Sequence, residues 1–376
     1  TFARASGGYA CPKTALENTA VTTGLGNNAP CYIDGYGISV NYAVTNRAFS
    51  SEAFDSADWN AVGTPTITAN TTVAPDGNTT ADSIADDGSG ASGVKLKWSA
   101  GVAYATAQLS LWCKSAGTVN MKICDLTTTD TCNVGLGCCT AFACTTSWQR
   151  FRSNTTISAT AQDHLMQVIV TDSTGTIVVW GAQVVAPKGN IADPYCPSTG
   201  ASATTCAAEN LDLLVSGASP AQEFESTSAS GIELGVRPFW RALGSATTND
   251  GTLGNNPFFF QAASSLNVNE HSCFMTPSAL ECFYCGSGGA CPLVNAPTAA
   301  ATFAVGTLNT VFYTWGPSTH SYGRNNAVDQ RDTTGTNNPA GGPVTVRIGA
   351  RGTNSDGYLG ACLSNVKIYR PAPQGY

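Results

Sequence analysis

Short β-type runs separated by turn residues constrain this chain of 376 residues more than any other feature of its sequence. The runs are rich in β-branched, aromatic and apolar residues and are bounded by Gly, Asn, Asp, Ser and Thr, whereas helix start and stop signals are scarce. The clearest alternation places Ala107, Leu109, Leu111 and Cys113 on one face of a strand. The pattern predicts an all-β fold with two tandem β-sandwich domains.

The predicted strands form two groups separated by a break in the strand pattern. In the first half they are 64–73, 93–98, 105–114, 118–125, 148–157, 164–171 and 176–185. In the second half they are 231–240, 257–261, 280–284, 302–305, 310–315, 321–324, 344–349 and 362–369. Because residues 188–200 contain two prolines and two glycines, we expect a linker there. The predicted domains are a sandwich over 49–187 and a second over 201–376, with residues 1–48 as an N-terminal arm or a strand that packs on a sandwich.

Fifteen cysteines indicate an oxidising environment, because proteins of the reduced cytosol rarely use so many. The odd total leaves at least one of them unpaired or bonded to another chain. The spacing C-x8-C-x2-C-x5-C in the second half contains one C-x-x-C, whereas a structural zinc ribbon usually has two, so disulfides are favoured and no metal ligands are predicted. All fifteen are disulfide candidates: Cys11, Cys31, Cys113, Cys124, Cys132, Cys138, Cys139, Cys144, Cys196, Cys206, Cys273, Cys282, Cys285, Cys291 and Cys362.

Carboxylates in predicted turns are candidates for a structural calcium site, since calcium in jelly rolls is held by loop carboxylates and carbonyls. In this chain the candidates are Asp82, Asp86, Asp87, Asp329 and Asp332. No EF-type loop accompanies them. An acidic turn is therefore the favoured interpretation, and no cofactor is predicted.

The charge pattern argues against nucleic acid as a partner. The chain has 18 Lys and Arg against 25 Asp and Glu, a net charge of −7, and it has no Lys/Arg cluster that would neutralise phosphates. The longest apolar stretch, 177–186, has ten residues and contains Gly181 and Gln183. This stretch is short of the ~20 residues that a bilayer-spanning helix needs. We therefore predict neither nucleic-acid binding nor a membrane span.

Ordered short motifs run through the first 200 residues. They are F-x-R-A-S at 2–6, T-N at 45–46, E-x-F-x-x-x-x-W at 52–59, A-P-D-G-N-T-T-A-D at 74–82, S-W-Q-R-F at 147–151, W-G-A-Q at 180–183 and Y-x-P-S-T-G at 195–200. In this order the motifs resemble those of bacteriophage structural proteins, where the later ones belong to the carbohydrate-binding-like jelly roll of head spikes and tail fibres. The runs at 344–351 and 356–369 resemble the concanavalin/laminin-G-like sandwich that often follows in those proteins. The cysteine load departs from the family pattern.

The resemblance implies a non-enzymatic virion surface protein, such as a fibre, spike or decoration, that attaches to host-surface glycans. It also implies a virion-surface or extracellular location, contacts with other virion proteins, and a homo-oligomer whose many copies strengthen weak glycan contacts. The residues themselves leave two alternatives open. One is a purely structural decoration or assembly protein cross-linked by disulfides, and the other is a secreted bacterial adhesin.

No group of residues predicts catalysis. Hydrolases on concanavalin-like sandwiches normally carry alternating carboxylates on one strand, and Glu223 and Glu225 have no third partner. His164, His271 and His320 are isolated from one another and lack a neighbouring series of metal ligands. We therefore predict no catalytic residues and no enzyme activity.

Aromatic side chains are the candidates for glycan contact, because sugar rings stack on aromatic faces. Trp240 in the run R-P-F-W-R, and Trp315 with its neighbour Tyr313, are predicted to form an exposed platform. Three further tryptophans coincide with the resemblance motifs and are expected in the sandwich core: Trp59, Trp148 and Trp180.

Overall fold

A computed structural model gives the architecture of the protein. It describes residues 2–4, 11–12, 21–22, 31–33, 37–40, 44–99, 106–127, 138–156, 163–185, 195–200, 202–206, 209–213, 230–238, 258–263, 270–275, 280–285, 294, 307–316, 319–332, 345–348 and 361–369. Within these ranges the regular structure consists of strands. None of these ranges contains a helix long and apolar enough to cross a membrane.

The strands are numbered in chain order. Their bounds are β1 Phe2–Arg4, β2 Cys11–Pro12, β3 Val21–Thr22, β4 Cys31–Ile33, β5 Gly37–Val40, β6 Val44–Asn46, β7 Trp59–Val62, β8 Thr66–Thr72, β9 Ala81–Ala85, β10 Ser92–Ser99, β11 Thr106–Ser115, β12 Val119–Thr127, β13 Cys139–Cys144, β14 Gln149–Thr156, β15 Asp163–Val170, β16 Thr176–Val185, β17 Thr204–Cys206, β18 Glu209–Leu213, β19 Ser230–Pro238, β20 Phe258–Ala263, β21 Glu270–Met275, β22 Leu280–Cys285, β23 Asn309–Trp315, β24 His320–Arg324, β25 Ala327–Asp332, β26 Thr345–Ile348 and β27 Ala361–Tyr369.

The first sandwich consists of two five-stranded antiparallel sheets. Their strand orders are β13-β12-β15-β10-β7 and β14-β11-β16-β9-β8. The predicted alternation along β11 is confirmed, because Ala107, Leu109, Leu111 and Cys113 are all buried in the core between these sheets. Burying such a row is the main favourable contribution to folding, and it places every second residue of β11 on the outer side of its sheet.

The second sandwich consists of a six-stranded and a seven-stranded sheet. Their strand orders are β1-β18-β26-β20-β21-β22 and β25-β24-β23-β19-β27-β5-β4. Its core combines side chains of both sheets, among them Phe260 and Ile348 from the first and Leu234 and Tyr313 from the second. The predicted all-β fold with two sandwiches is therefore confirmed.

The N-terminal strands pair with the second sandwich. Strand β1 pairs with β18, and β5 pairs with β27. The short strand β6 pairs instead with β17 in a separate two-stranded ribbon. Part of the predicted linker, residues 195–200, packs against the first sandwich, where the backbone N–H of Ser51 donates to the carbonyl of Ser198 at 2.8 Å.

Disulfides are abundant, as predicted. Ten cysteines of the described ranges are disulfide-bonded. Four bridges have both partners in those ranges: Cys113–Cys144, Cys124–Cys139, Cys196–Cys206 and Cys273–Cys282. Because Cys273, Cys282 and Cys285 are all bonded, they are not zinc thiolates. The side chains of five other candidates lie outside the described residues: Cys11, Cys31, Cys132, Cys291 and Cys362.

Candidate functional site

The outer side of strands β14, β11 and β16 brings aromatic, cationic and carboxyl side chains together. We call it the β11 face. Because Leu109, Leu111 and Cys113 point into the core, Ser110, Trp112 and Lys114 stand on the outer side of β11. Cross-strand pairing then puts Trp112 opposite both Arg150 of β14 and Trp180 of β16.

Three aromatic side chains pack together on this face. The ring centroids of Trp112 and Trp180 are 5.3 Å apart, and those of Tyr195 lie 5.2 and 5.0 Å from them. Gly181 makes this close packing possible. Its φ is +69°, and a Cβ there would lie 2.7 Å from Cε3 of Trp112, so any larger residue would push the indole away.

Arg150 covers the aromatic group from the side of the edge strand. Its guanidinium lies 4.4 Å from the ring centroid of Trp112, and Nη2 donates a hydrogen bond of 3.1 Å to Oγ of Ser110. Stacking and hydrogen bonding together hold the plane of the guanidinium in one orientation. Arg152 is two residues further along β14 and therefore stands on the same face, since Phe151 and Ser153 between and after them point inward.

Trp148 and Lys114 extend the face beyond the aromatic group. Nε1 of Trp148 donates to the carbonyl of Val73 at 3.1 Å, and Nζ of Lys114 lies 4.8 Å from the indole centroid. Both side chains are half-buried, so they border on solvent. Trp148 was expected in the core and lies at its margin, whereas Trp59 and Trp180 are buried as predicted.

A carboxyl group with an altered pKa lies beside Tyr195. Oε1 of Glu52 accepts a hydrogen bond of 3.1 Å from the Tyr195 hydroxyl, which also bonds Oγ of Ser51 at 2.8 Å. Burial raises the pKa of Glu52 to about 7, and the charge of Asp76 adds to the rise against the lowering effect of the Tyr195 bond. Burial also raises the pKa of Tyr195 well above its usual range, with Glu52 contributing. Such altered groups are concentrated at functional sites.

The motifs that carry the sequence resemblance meet at this face. Glu52, Ala74, Arg150, Trp180 and Tyr195 come from five different motifs, and all of them lie in or against the aromatic group. Glu52, Arg150 and Tyr195 were not predicted as site residues from the sequence. The ordered motifs were the one sequence feature that pointed to these residues. That the motifs meet at one face could not be predicted from the sequence, because Glu52 and its partner Tyr195 are 143 positions apart.

The predicted platform at Trp315 and Tyr313 is wrong. Their side chains are 2% and 0% exposed and lie in the core of the second sandwich. Strand alternation gives the physical reason: Val311 is a core residue, so the side chains two and four positions later on β23 point inward as well. Trp240 lies outside the described residues.

Tyr313 belongs to a buried polar chain that joins the two sheets of the second sandwich. Its hydroxyl lies 3.1 Å from Nδ1 of His271 in the six-stranded sheet and 2.8 Å from Nδ1 of His320 in its own sheet. One hydroxyl can donate to one imidazole and accept from the other when both rings are neutral. Burial lowers the pKa of His271 well below its usual range, with His320 contributing. The group ties the sheets together and is closed to ligands.

The calcium candidates accept hydrogen bonds from the protein itself. Asp82 accepts from the backbone N–H of Phe54 and of Asn70, at 2.6 and 2.8 Å. Asp86 accepts from the N–H of Gly88 and the hydroxyl of Ser92 in its own turn. Asp87 accepts from the N–H and the hydroxyl of Thr64, and Asp329 accepts from Nε of Arg324. The side chain of Asp332 is not among those described. No group of three or more His, Cys, Asp or Glu side chains suited to a metal occurs in the described ranges.

No family model matches the sequence, and no curated protein matches it. Similar solved structures include domains LG4-5 of the mouse laminin alpha1 chain, with 12% identity, 93% of each chain covered and a TM-score of 0.30. The tandem CBM22 domains of Paenibacillus barcinonensis Xyn10C have 9% identity, cover 88% of this chain and 98% of theirs, and give a TM-score of 0.28. The enzymatically active domain of bacteriophage CBA120 tailspike protein 4 has 16% identity and a TM-score of 0.31, and the match covers 37% of this chain and 21% of the tailspike chain. At such low TM-scores, none of these similarities carries an argument about function.

Proposed function

We propose that this protein binds glycans without cleaving them, outside the cell, as a bacteriophage surface protein that attaches to the host. One observation carries the binding proposal. On the β11 face Lys114, Arg150, Arg152 and Trp148 are half-buried and border on solvent, and Trp148 is the aromatic side chain open to a ligand above the buried group of Trp112, Trp180 and Tyr195. Glycan sites combine such aromatic surfaces with a few oriented polar groups that bond sugar hydroxyls.

The extracellular location is supported by the ten disulfide-bonded cysteines, since such bonds persist in oxidising surroundings. The virion assignment rests on the ordered motifs alone, several of which build the β11 face. Contacts with other virion proteins and a homo-oligomeric state are part of the same proposal. Multiple copies would raise the avidity of a shallow site without any new contact.

The test is binding of the oxidised protein, displayed in many copies, to a panel of bacterial surface polysaccharides. Trp148→Ala should weaken the binding about tenfold or more, the usual effect of truncating an aromatic side chain at a binding centre. Trp148→Phe keeps a stacking surface while removing the bond to Val73, so it should bind better than the alanine variant. Lys122→Ala, on the exposed outer side of β12 in the other sheet, is the matched control and should bind normally.

The non-catalytic part of the proposal has its own test, because Glu52 and Asp76 are two interacting carboxyl groups on the face and one of them has a raised pKa. Glycosidases use two carboxyl groups, one of them with a raised pKa. We expect no reducing sugar to be released from any polysaccharide that binds. Release that disappears in Glu52→Gln would contradict the proposal and make the face an active site.

A further inference from the structure

One disulfide of the first sandwich is open to solvent. Of the ten disulfide-bonded cysteines in the described ranges, nine are buried and Cys139 is exposed. Its partner is Cys124, and the two residues lie directly opposite each other on β13 and β12. We propose that the Cys124–Cys139 bond is a thiol–disulfide exchange site, at which an incoming thiol becomes covalently attached to Cys139. This inference goes beyond glycan binding and does not depend on it.

The exchange needs access to only one end of the bond. An incoming thiolate attacks Sγ of Cys139, the bond to Cys124 breaks, and a new disulfide joins Cys139 to the incoming molecule. Cys124 leaves as a thiolate and takes a proton from water. No electrons are gained or lost in this exchange, so it needs no oxidant. Because Cys124 is 2% exposed, the incoming thiolate reaches the bond from the Cys139 side, which sets the point of attachment.

A third sulfur allows the attachment to persist. Sγ of Cys138 lies 3.7 Å from Sγ of Cys139, and Cys138 is itself disulfide-bonded. Cys124 and Cys138 belong to one buried group, next to the point where the backbone N–H of Asp125 donates to the carbonyl of Cys138 at 2.8 Å. The Cys124 thiolate can therefore attack Cys138, form a Cys124–Cys138 bond and release the former partner of Cys138 as a thiolate. Cys124 is then no longer free to expel the attached molecule.

The fold tolerates the opening of this bond. Strand β13 is held at its other end by the bridge between Cys113 and Cys144, both 0% exposed. Between the two bridges Phe142 of β13 packs on Phe151 of the other sheet, with ring centroids 5.1 Å apart. These contacts do not involve Cys139, so the exchange leaves the sandwich folded and the attached molecule at its edge.

A second copy of this chain can supply the incoming thiol. Since the chain has fifteen cysteines, at least one of them has no partner among the others of the same chain. Attachment of such a thiol to Cys139 would join two copies covalently and add to the multiple display of the proposed oligomer. A small thiol reacts by the same chemistry, so the test must separate the two sources.

The experiment uses the full oxidised chain under native conditions. Reduced glutathione is added, the reaction is stopped with acid, and free thiols are alkylated in denaturant before peptide mass spectrometry. We expect glutathione on Cys139 about tenfold sooner, or more, than on any of the nine buried cysteines, because a buried bond reacts only when the structure opens locally. Equal rates at the buried bonds, or a Cys124–Cys139 bond that outlasts them, would overturn the inference.

Paired variants test the assignment to this bond. Cys124→Ser combined with Cys139→Ser removes the site, and the matched control, Cys196→Ser combined with Cys206→Ser, removes a buried bridge. Once circular dichroism has shown that both variants fold, the first should lose the fast reaction and the control should keep it. A fast reaction that persists in the first variant would place the exchange elsewhere and overturn the inference.

Concentrated protein without added thiol identifies the source. Dimers that collapse on reduction, and whose linking peptide contains Cys139, would support the site with a second copy as the thiol donor. Glutathione adducts on Cys139 without such dimers would support the site with small thiols as the donor. Glycan binding is measured separately, so its absence would overturn the proposed function and leave the exchange site standing.

Discussion

The two sandwiches share an architecture but join their sheets by different chemistry. In the first, the disulfide Cys113–Cys144 links β11 of one sheet to β13 of the other. In the described part of the second, a hydrogen-bonded chain from His271 through Tyr313 to His320 joins the sheets, and the disulfide Cys273–Cys282 stays within one sheet. Two sandwiches of the same architecture can therefore differ in the condition that destabilises them. The first sandwich should be sensitive to loss of its cross-link and the second to acid.

The largest expected effect comes from removing the cross-link of the first sandwich. Cys113→Ala combined with Cys144→Ala should lower its free energy of unfolding by about 3–4 kcal/mol, because the bridge spans 31 positions and restricts a long loop of the unfolded chain. The second sandwich should be unaffected. Urea unfolding followed by hydrogen exchange, with peptides from residues 59–185 and 230–285 read separately, measures both.

The matched control is the double alanine variant of Cys273 and Cys282. Their bridge spans nine positions and joins directly paired residues of one sheet, so its loss should cost less, about 2–3 kcal/mol, and only in the second sandwich. Equal losses in both sandwiches from either variant would mean that they unfold as one unit, and the comparison would fail.

Acid should act on the second sandwich. The imidazole of His271 has a folded-state pKa well below its usual range, so below about pH 6.5 the unfolded chain binds a proton that the folded chain does not. The stability that this neutral imidazole contributes is therefore present above that pH and falls as the pH drops. Below pH 6.5 the loss should grow as the pH falls, by no more than about 1.4 kcal/mol per pH unit for this one group.

The variant that isolates this effect is His271→Gln. Its amide can still bond the Tyr313 hydroxyl but does not titrate, so the acid response of the second sandwich should shrink relative to the wild type in the same exchange experiment. An unchanged acid response would assign the sensitivity to other groups.

The sequence predicted the architecture well because strand alternation and turn residues are local signals. The predicted strand over 105–114 corresponds to β11, Thr106–Ser115, and that over 176–185 to β16, Thr176–Val185. The edge strand β13, Cys139–Cys144, was missed because its sequence, C-T-A-F-A-C, is short and lies in a cysteine- and glycine-rich segment. As an edge strand, β13 pairs on one side only, with β12.

The site was predictable only in part. The strand 310–315 was correctly predicted. The alternation of its side chains was overlooked, however, and it places Tyr313 and Trp315 on the buried face and not on an exposed platform. The β11 face depends on distant pairs, such as Glu52 with Tyr195, that no local pattern encodes. Trp240, the remaining predicted contact, lies outside the described residues and stays a prediction.

A smaller effect tests whether the packing of Gly181 against Trp112 stabilises the β11 face. Gly181→Ala should destabilise the first sandwich by about 2 kcal/mol, because the residue has a positive φ and its Cβ would push against Trp112. Displacing this indole should also move Arg150 and weaken glycan binding. Gly77→Ala is the matched control: its φ is +92° but its Cβ would meet no neighbouring atom, so we expect about 1 kcal/mol and normal binding. Similar losses from both variants would show that backbone conformation, and not packing on Trp112, requires the glycine.

The smallest effect has the opposite sign to the acid response of the second sandwich. Because the pKa of Glu52 rises from 4.5 to about 7 on folding, the folded chain holds a proton between these values that the unfolded chain has released. The first sandwich should therefore become more stable as the pH falls from 7 to 4.5, by about 1–2 kcal/mol, since solvent around the partly open side chain weakens the effect. Glu52→Gln keeps an acceptor for Tyr195 but cannot ionise, so it should raise stability at pH 8 by the same amount and leave pH 4.5 unchanged. If peptides from residues 59–185 of the wild-type protein instead lose protection in acid together with those of the second sandwich, the two regions do not respond separately to pH.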